Sequence, residues 1–235
     1  MISIRKSEQR GHASFSWLNS KHSFSFGSYY DPSNMGFSSL RVINDDVVSP
    51  GAGFETHGHR NMEIISFVLE GVIAHKDSEG NIETISAGEY QLMSAGSGIY
   101  HSEFNASTTD ELRFLQIWIE PNQEHTTPGY QQQSFGRNPG LTTVATPTGA
   151  DGTLQIKQDA SLHQLILKPG DEYTYEIEQG RNVYLHHING ELTVDENLIA
   201  AGDAIKVQQS QSMYLTNNSD NETLSLIFDL PKSQN

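Results

Sequence analysis

The sequence predicts an all-β fold built as two β-barrel modules in one chain. Helical periodicity is nearly absent, and short runs of alternating apolar and polar residues are separated by Gly, Asn, Asp, Ser and Pro, which is the pattern of a β-sandwich or barrel. The second half repeats turns of the first, because Pro169-Gly170 repeats Pro50-Gly51 and, at the same offset, Asn189-Gly190 falls on Glu70-Gly71. A chain of 235 residues with 35% hydrophobic residues is long and apolar enough for two packed cores.

The composition limits the partners and the compartment. The 14 Lys and Arg residues against 29 Asp and Glu residues give a formal charge of −15, and such a surface repels phosphate backbones, so we predict no direct nucleic-acid binding. No apolar run approaches membrane-spanning length and the segment 1–8 lacks a signal-peptide core, so we expect a cytoplasmic protein without a membrane segment. The absence of cysteine excludes disulfides, thiolate ligands and a thiol nucleophile.

Residues 1–35 are rich in aromatic side chains. Phe24 and Phe26 alternate in a way that predicts a strand with one buried face. We expect the aromatic side chains to pack mainly in the core, and the alternative is that they form the wall of a ligand pocket. These residues are Phe15, Trp17, Phe24, Phe26, Tyr29 and Tyr30.

The remaining strands of the first module follow at short intervals. Residues 37–47 predict one strand, with a turn at Asn44-Asp45-Asp46, and residues 49–53 predict a loop. Apolar runs and the turn signals between them predict further strands at 63–69, 72–75, 82–85, 90–93, 101–104 and 112–119. Residues 121–140, rich in Pro, Gly, Gln, Thr and Asn, predict a linker. We therefore expect an N-terminal module with a metal site at 1–130 and a second module without metal ligands at 131–235.

Two short histidine motifs predict the metal site. Alternate side chains of a strand share one face, so His57 and His59 point the same way, and Glu63, an even number of residues on, is expected to keep their phase. His101 and Glu103 repeat this spacing on a second strand. Imidazole and carboxylate donors of this kind suit iron, manganese, nickel, copper or zinc. We predict a single metal site.

The internal repeat predicts that only the first module holds a metal. The alignment places Glu176 and Glu178 on His57 and His59, and Asn182 on Glu63. With Ala201-Gly202-Asp203 set on Ala87-Gly88-Glu89, it places Leu215 and Asn217 on His101 and Glu103. Histidine is therefore retained at none of the three positions. Among the other histidines, His75 is the one expected on a strand that lines the same barrel.

The motifs around these ligands resemble those of a known family. With the glycines at 51, 71, 88, 96 and 98, the two histidine motifs resemble the signature motifs of the cupin superfamily. More narrowly, the segments 36–46, 57–63 and 101–105 resemble the pirin family, and in particular the bacterial pirin-like proteins with quercetin 2,3-dioxygenase activity. The resemblance runs from the Trp17 region to Leu230-Pro231 and is looser in the second module. It implies a bicupin, with two double-stranded β-helix modules.

The resemblance also implies a chemistry. In that family three histidines and a glutamate hold the metal, which by motif are His57, His59, His101 and Glu103. Generic cupins often take the carboxylate at the position of Glu63, so both glutamates are candidates, and either is a candidate catalytic base. The resemblance favours iron as the one divalent transition metal, with zinc, manganese, nickel, cobalt or copper as alternatives. The implied substrates are a flavonol and dioxygen, and the implied products are a depside ester and carbon monoxide.

Three alternatives stay open at this point. Pirins of animals act as metal-dependent cofactors of transcription factors, which would require a protein partner rather than a small substrate. The same barrel also hosts other metal-dependent reactions. A purely structural metal is the third alternative, although structural zinc sites favour cysteine-rich shells.

Overall fold

The structure, a computed structural model, describes residues 1–232 of the chain and is built almost entirely of β-strands. It divides into two compact units, each with its own sheets. The N-terminal unit comprises Gly11–Gly136 and Ile156–Gln158. The C-terminal unit comprises Met1–Arg10, Arg137–Gln155 and, among the described residues, 159–232. Within residues 1–232 the structure has no helix long and apolar enough to cross a membrane.

The N-terminal unit contains a seven-stranded and a four-stranded antiparallel sheet. Strands are numbered in chain order. The larger sheet has the order β12-β9-β6-β11-β4-β3-β2, with β2 at Gly11–Ser14, β3 at Leu18–His22, β4 at Leu40–Val48, β6 at Glu63–Glu70, β9 at Glu89–Ser94, β11 at Leu112–Ile119 and β12 at Gly129–Ser134. The smaller sheet has the order β5-β10-β7-β8, with β5 at Gly53–His59, β7 at Val72–Asp77, β8 at Ile82–Ser86 and β10 at Ile99–Asn105.

The C-terminal unit repeats this arrangement. Its larger sheet has the order β1-β20-β17-β22-β15-β13-β14, with β1 at Ile2–Arg5, β13 at Gly140–Thr146, β14 at Leu154–Gln155, β15 at Ser161–Leu167, β17 at Arg181–Asn189, β20 at Ala204–Gln208 and β22 at Thr223–Pro231. Its smaller sheet has the order β16-β21-β18-β19, with β16 at Glu172–Glu176, β18 at Glu191–Val194, β19 at Asn197–Ala200 and β21 at Ser212–Thr216. Two short 3-10 helices lie at Ser7–Gln9 and Ala150–Gly152.

The two interiors differ in polarity. In the C-terminal unit one continuous apolar cluster joins both sheets. In the N-terminal unit the inward positions of β6 change from Ile64 in one apolar cluster, through Ser66, to Val68 in another. Strand β11 does the same, from Phe114 through Gln116 to Trp118. Polar side chains therefore occupy the middle of the N-terminal barrel, where burial without partners would be costly.

The predicted turn at Asn44-Asp45-Asp46 is wrong. These residues continue β4 and are buried, with 2%, 8% and 2% of their surfaces exposed. Their turn propensity is overridden by pairing on both sides, since β4 lies between β3 and β11. The Asp45 carboxylate also accepts two hydrogen bonds from the Arg113 guanidinium, at 2.9 and 3.0 Å.

Three further sequence expectations differ from the structure. Phe24 and Phe26 do not lie in a strand, because β3 ends at His22 and Phe26 makes only an isolated bridge with Tyr29. The predicted linker 121–140 contains β12, which pairs with β9 as the edge of the larger sheet. The contact-based division also differs from the proposed limits 1–130 and 131–235, since β1 pairs with β20 and residues 156–158 belong to the N-terminal unit.

Candidate metal centre

Strand β5 carries the first histidine pair into the N-terminal barrel. His57 and His59 are both half-buried, whereas Gly58 and Arg60 are exposed, as the alternation of a strand requires. Strand β5 ends at His59, and Glu63 begins β6 in the other sheet. The prediction that Glu63 stays in phase with the pair on one strand is therefore wrong.

Strand β10 lies directly beside β5 and supplies the third imidazole. His101 is opposite His57 in the register and is 1% exposed. The Nε2 atoms of His101 and His57 are 3.1 Å apart. The rings of His57, His59 and His101 lie 4.5 to 4.8 Å from one another between centroids. The structure thus brings three of the four predicted ligands together.

The electrostatics of this cluster favour a bound cation over bound protons. Burial, with the His101 and His57 imidazoles, lowers the pKa of His59 to about 4. Burial, with the His57 and His75 imidazoles, lowers the pKa of His101 to about 3. The backbone carbonyl of Glu55 accepts a hydrogen bond from Nδ1 of His57 at 2.7 Å, which leaves the Nε2 lone pair directed toward His101.

The fourth predicted ligand, Glu103, lies one inward position further along β10. It is 2% exposed, and its carboxylate accepts hydrogen bonds from Ser66 Oγ at 3.1 Å and Gln116 Nε2 at 2.9 Å. One of its oxygens lies within 4.8 Å of ligand atoms of His75 and His101, which makes a second donor group that shares His101 with the first.

Glu63 lies apart from both donor groups. Its carboxylate accepts hydrogen bonds from Ser94 Oγ at 2.8 Å and from the backbone N–H of Lys157 at 3.2 Å. Burial raises the pKa of Glu63, and these two hydrogen bonds act in the opposite direction. Its contacts thus tie β6 to β9 and to the segment 156–158.

The structure adds a buried pair that the motifs did not identify as part of the site. His75 and Asp77 face inward from β7, and Nε2 of His75 donates to Asp77 Oδ2 at 3.1 Å while its Nδ1 lies 3.0 Å from Gln91 Nε2. The His75 ring is 5.5 Å from that of His101. The alternation of His75 and Asp77 along one strand is the sequence feature that indicates this pair, whereas the prediction from sequence includes only His75. Because both ring nitrogens of His75 have partners, we interpret it as support for the neighbouring ligands.

A β-bulge explains why the alignment of the two modules placed the wrong residues on His57 and His59. In the pairing of β10 with β5, His101 is opposite His57 but Glu103 is opposite Phe54, so β5 contains one extra residue. The pairing of β21 with β16 is continuous, with Tyr175 opposite Met213. With this extra residue taken into account, the residue of the second module that corresponds to His57 is the buried Tyr175 and not the exposed Glu176.

Asn105 and Asn217 occupy equivalent positions and so align β10 of the first module with β21 of the second. Their side-chain Nδ2 atoms donate to the carbonyls of Val48 and Leu167, and their Oδ1 atoms each accept from the N–H two residues on. The residues of the second module that correspond to His101 and Glu103 are therefore Met213 and Leu215, not Leu215 and Asn217. The conclusion that histidine is absent from these positions is unchanged.

A large cavity opens beside the donor cluster. It has a volume of about 850 Å³ and is lined by His57 and His59. Its wall includes six aromatic side chains, namely Phe15, Trp17, Phe26, Phe54, Phe104 and Trp118. Trp118 packs edge-on against both His59 and Phe26, with centroids 5.0 and 5.3 Å apart. The expected core role is correct for Phe24, which is 1% exposed, but Phe15, Trp17 and Phe26 take the alternative role of a pocket wall.

The donor geometry fits a transition-metal ion. Two ligand atoms that lie about 2.1 Å from a metal and at right angles are about 3 Å apart. The 3.1 Å between Nε2 of His101 and Nε2 of His57 has this value. Among residues 1–232, the groups of donors close enough to share an ion are His57, His59 and His101, and His75, His101 and Glu103, all in the N-terminal unit.

The comparisons with known proteins agree with the geometry. Residues 3–119 match the Pirin family model, and residues 143–230 match the model described as the quercetinase C-terminal cupin domain. The chain is 44% identical over 231 residues to quercetin 2,3-dioxygenase of Escherichia coli K12, covering 98% of this chain and 99% of the relative. The chain belongs to the pirin family. The predicted bicupin fold is confirmed.

Solved structures place this pirin among proteins of the same fold. The bacterial pirin YhhW of Escherichia coli in complex with nickel(II) is 43% identical, with a TM-score of 0.95 and coverage of 99% of this chain and 100% of that one. A quercetin 2,3-dioxygenase of Acinetobacter baumannii is 20% identical, with a TM-score of 0.77 and coverage of 97% and 86%, and shares the fold.

Gly53 allows β5 and β10 to approach beside the bulge. A Cβ at this position would overlap the Glu103 carbonyl and the Cα of Phe104. We expect Gly53→Ala to separate the strands and to weaken metal affinity by about 10-fold or more, because small displacements of supporting groups have effects of that size. Gly129→Ala is the matched control, since a Cβ there meets nothing within 4 Å. Competition with a chromophoric chelator measures both, and equal affinities would contradict this account of the bulge.

Proposed function

We propose that this pirin is a metal-dependent quercetin 2,3-dioxygenase that cleaves a flavonol with dioxygen and releases carbon monoxide. One observation carries the proposal: His57 and His59 of the donor cluster also line the aromatic-walled cavity. A planar aromatic substrate in this cavity would have its edge at the donor cluster. The names of the relatives support the same activity.

We assign the metal ligands to His57, His59, His101 and Glu103. Imidazole and carboxylate donors accept several divalent first-row ions, so the residues alone do not select one. We propose iron, and nickel is the first alternative because the related YhhW has been solved with nickel(II). Metal analysis of the purified protein, followed by reconstitution with iron, nickel, manganese, cobalt, copper and zinc in turn, tests the assignment.

Different residues of the site bind the substrate and accept its proton. A bound divalent metal supplies positive charge that lowers the pKa of a coordinated hydroxyl. The Glu103 carboxylate accepts the proton of the flavonol 3-hydroxyl, and Ser66 and Gln116 fix its orientation by donating to its two oxygens. Glu63 takes no part, because Ser94 and Lys157 hold its carboxylate outside the donor groups. The aromatic wall holds the rings and excludes water.

The overall reaction balances without a further reductant. The flavonol and one dioxygen molecule give one depside and one carbon monoxide molecule, so both oxygen atoms of dioxygen enter the products. The half-buried imidazoles and the apolar wall keep bulk water from the reactive flavonolate.

Anaerobic titration followed by admission of oxygen tests the proposal. The metal-analysed protein is titrated with quercetin without oxygen, where we expect the flavonol absorption to shift on binding. Admission of oxygen should then bleach that absorption and release carbon monoxide in equal amount. The metal-stripped protein is the control and should do neither. Full metal occupancy without spectral change or carbon monoxide would contradict the proposed activity.

A further inference from the structure

One face of β3 turns polar side chains into the barrel. Ser20 and His22 are 2% and 4% exposed, whereas Asn19 and Lys21 between them are exposed. Ser20 is opposite Asp46 of β4 in the antiparallel register. Residues opposite each other in such a pair share a face of the sheet, so Asp46 also faces inward.

In each of these side chains one buried polar atom lacks a hydrogen bond of normal geometry, although the Ser20 hydroxyl lies close enough to the Asp46 carboxyl to act on its pKa. The atoms are Ser20 Oγ, His22 Nδ1 and Asp46 Oδ1. A buried polar atom of this kind destabilises the folded protein relative to a paired one. Native proteins rarely leave several such atoms together, so a group that pairs them is expected.

All three residues line the cavity that His57 and His59 also line. Six of the other lining side chains are aromatic, and Ser20, His22 and Asp46 form a polar cluster on the surface of the cavity, to which Gln116 adds a further polar side chain. Burial lowers the pKa of His22 and raises that of Asp46 to about 7, and the Ser20 hydroxyl beside Asp46 partly offsets the latter effect. Near pH 7 the lowered pKa leaves the His22 imidazole neutral and the raised pKa leaves the Asp46 carboxyl partly protonated. Such a cluster suits a neutral hydroxyl better than an ion, because an ion would be left without a full counter-charge.

We propose that Ser20, His22 and Asp46 form a subsite that recognises those phenolic hydroxyl groups of the ligand that do not coordinate the metal. The proposal rests on the proposed function, since it assumes an aromatic ligand with one edge at the donor cluster. A phenol donates one hydrogen bond and accepts others, and the three side chains offer both kinds of partner. The subsite therefore selects polyhydroxylated flavonoids over unsubstituted ones.

The test uses ligands that cannot undergo the proposed reaction. Luteolin has the hydroxyl groups of quercetin except the one on carbon 3, and flavone has none. Binding of each to the metal-loaded protein is measured by isothermal titration calorimetry. We expect the wild type to bind luteolin about 10-fold or more tightly than flavone, since one to two net hydrogen bonds correspond to about that factor.

The decisive variant removes the polar atoms and keeps the volumes. In Ser20→Ala/His22→Phe/Asp46→Leu we expect the preference for luteolin to fall to about 2-fold or less, with flavone bound as tightly as before. Ser20→Ala alone, which changes one hydroxyl, should lower the preference by about 3-fold. Lys21→Ala is the matched control, since Lys21 lies on the same strand with its side chain outward. Circular dichroism and metal content verify that each variant is folded and loaded.

The outcomes separate the subsite from the activity. A luteolin preference that survives in the triple variant overturns the subsite, even if quercetin is cleaved. Equal binding of luteolin and flavone by the wild type also overturns it, and indicates that ordered water alone pairs the three atoms. A preference lost only in the cluster variants supports the subsite, even if quercetin assays release no carbon monoxide and the proposed dioxygenase activity fails.

Discussion

His101→Ala is expected to abolish metal binding and dioxygenase activity while the β-fold is kept. His101 is the residue shared by both donor groups, so its removal breaks the three-histidine cluster and separates Glu103 from it. We expect metal content below about one-tenth of the wild-type value and activity lower by about 100-fold or more, a larger effect than loss of a supporting group. Metal analysis after gel filtration and carbon monoxide release measure the two quantities.

The fold should tolerate this change because the histidine cluster is not part of an apolar core. The variant also removes the imidazole that helps to lower the pKa of His59. His12→Ala is the matched control, since His12 is exposed on β2 and its ring bonds only the side chain of Asn19, at 2.8 Å. Retained metal or activity in His101→Ala, with the control unchanged, would show that the site lies elsewhere.

Asp46→Asn is expected to stabilise the protein at alkaline pH. Burial above all, together with the negative charges of Asp45 and Glu103, raises the pKa of Asp46 to about 7, and the Ser20 hydroxyl acts in the opposite direction. In the unfolded chain an aspartate has a pKa of about 3.9. A difference of about 3 pKa units corresponds to about 4 kcal/mol, so we expect the free energy of unfolding to rise by about 2 to 4 kcal/mol at pH 8.

The pH dependence of this effect follows from the direction of the shift. Because the pKa is higher in the folded state, the folded protein retains its proton after the unfolded chain has lost it. The wild type is therefore most stable, with respect to this group, below about pH 4, and it loses stability as the pH rises toward 7. The gain from Asp46→Asn should accordingly be large at pH 8 and should disappear near pH 4.

Urea unfolding at pH 4.5, 6 and 8 provides the measurement. The neighbouring Asp45→Asn is the matched control, because Asp45 pairs with Arg113 and its loss should destabilise the protein at pH 8. A gain from Asp46→Asn that is the same at all three pH values would contradict the buried-charge account. A stabilised variant with weaker luteolin binding would show that Asp46 is retained for recognition at the expense of stability.

The sequence predicted the fold class because its signals are local. Alternating apolar residues and the turns between them place the runs at 63–69, 72–75, 82–85, 90–93, 101–104 and 112–119 within strands of the structure. The alternation also placed His57 with His59, and His101 with Glu103, on common faces of their strands. These predictions need only the two-residue period of a strand.

The predictions from sequence were wrong where the pairing of strands from distant parts of the chain determines the local conformation. Asn44-Asp45-Asp46 has the composition of a turn but is held extended by β3 and β11, and the polar residues of this stretch become the interior of a barrel. The bulge in β5 shifts the alignment of the two modules by one residue, so that the residue aligned with His57 changes from one face of its strand to the other. The alternation of apolar and polar residues in the sequence does not indicate this bulge. A one-residue shift of register moves every side chain to the opposite face.

Local patterns in the sequence were sufficient to predict the all-β class, the two-module repeat, the three candidate imidazole ligands and their restriction to one module. The tertiary structure was needed to show that Glu63 lies away from these histidines, whereas Glu103, His75 and Asp77 lie beside them. It also decided that Phe15, Trp17 and Phe26 form the wall of a cavity, and that Ser20, His22 and Asp46 line it. The reason is that strand period fixes which residues share a face, whereas the pairing of strands from distant parts of the chain fixes which faces meet.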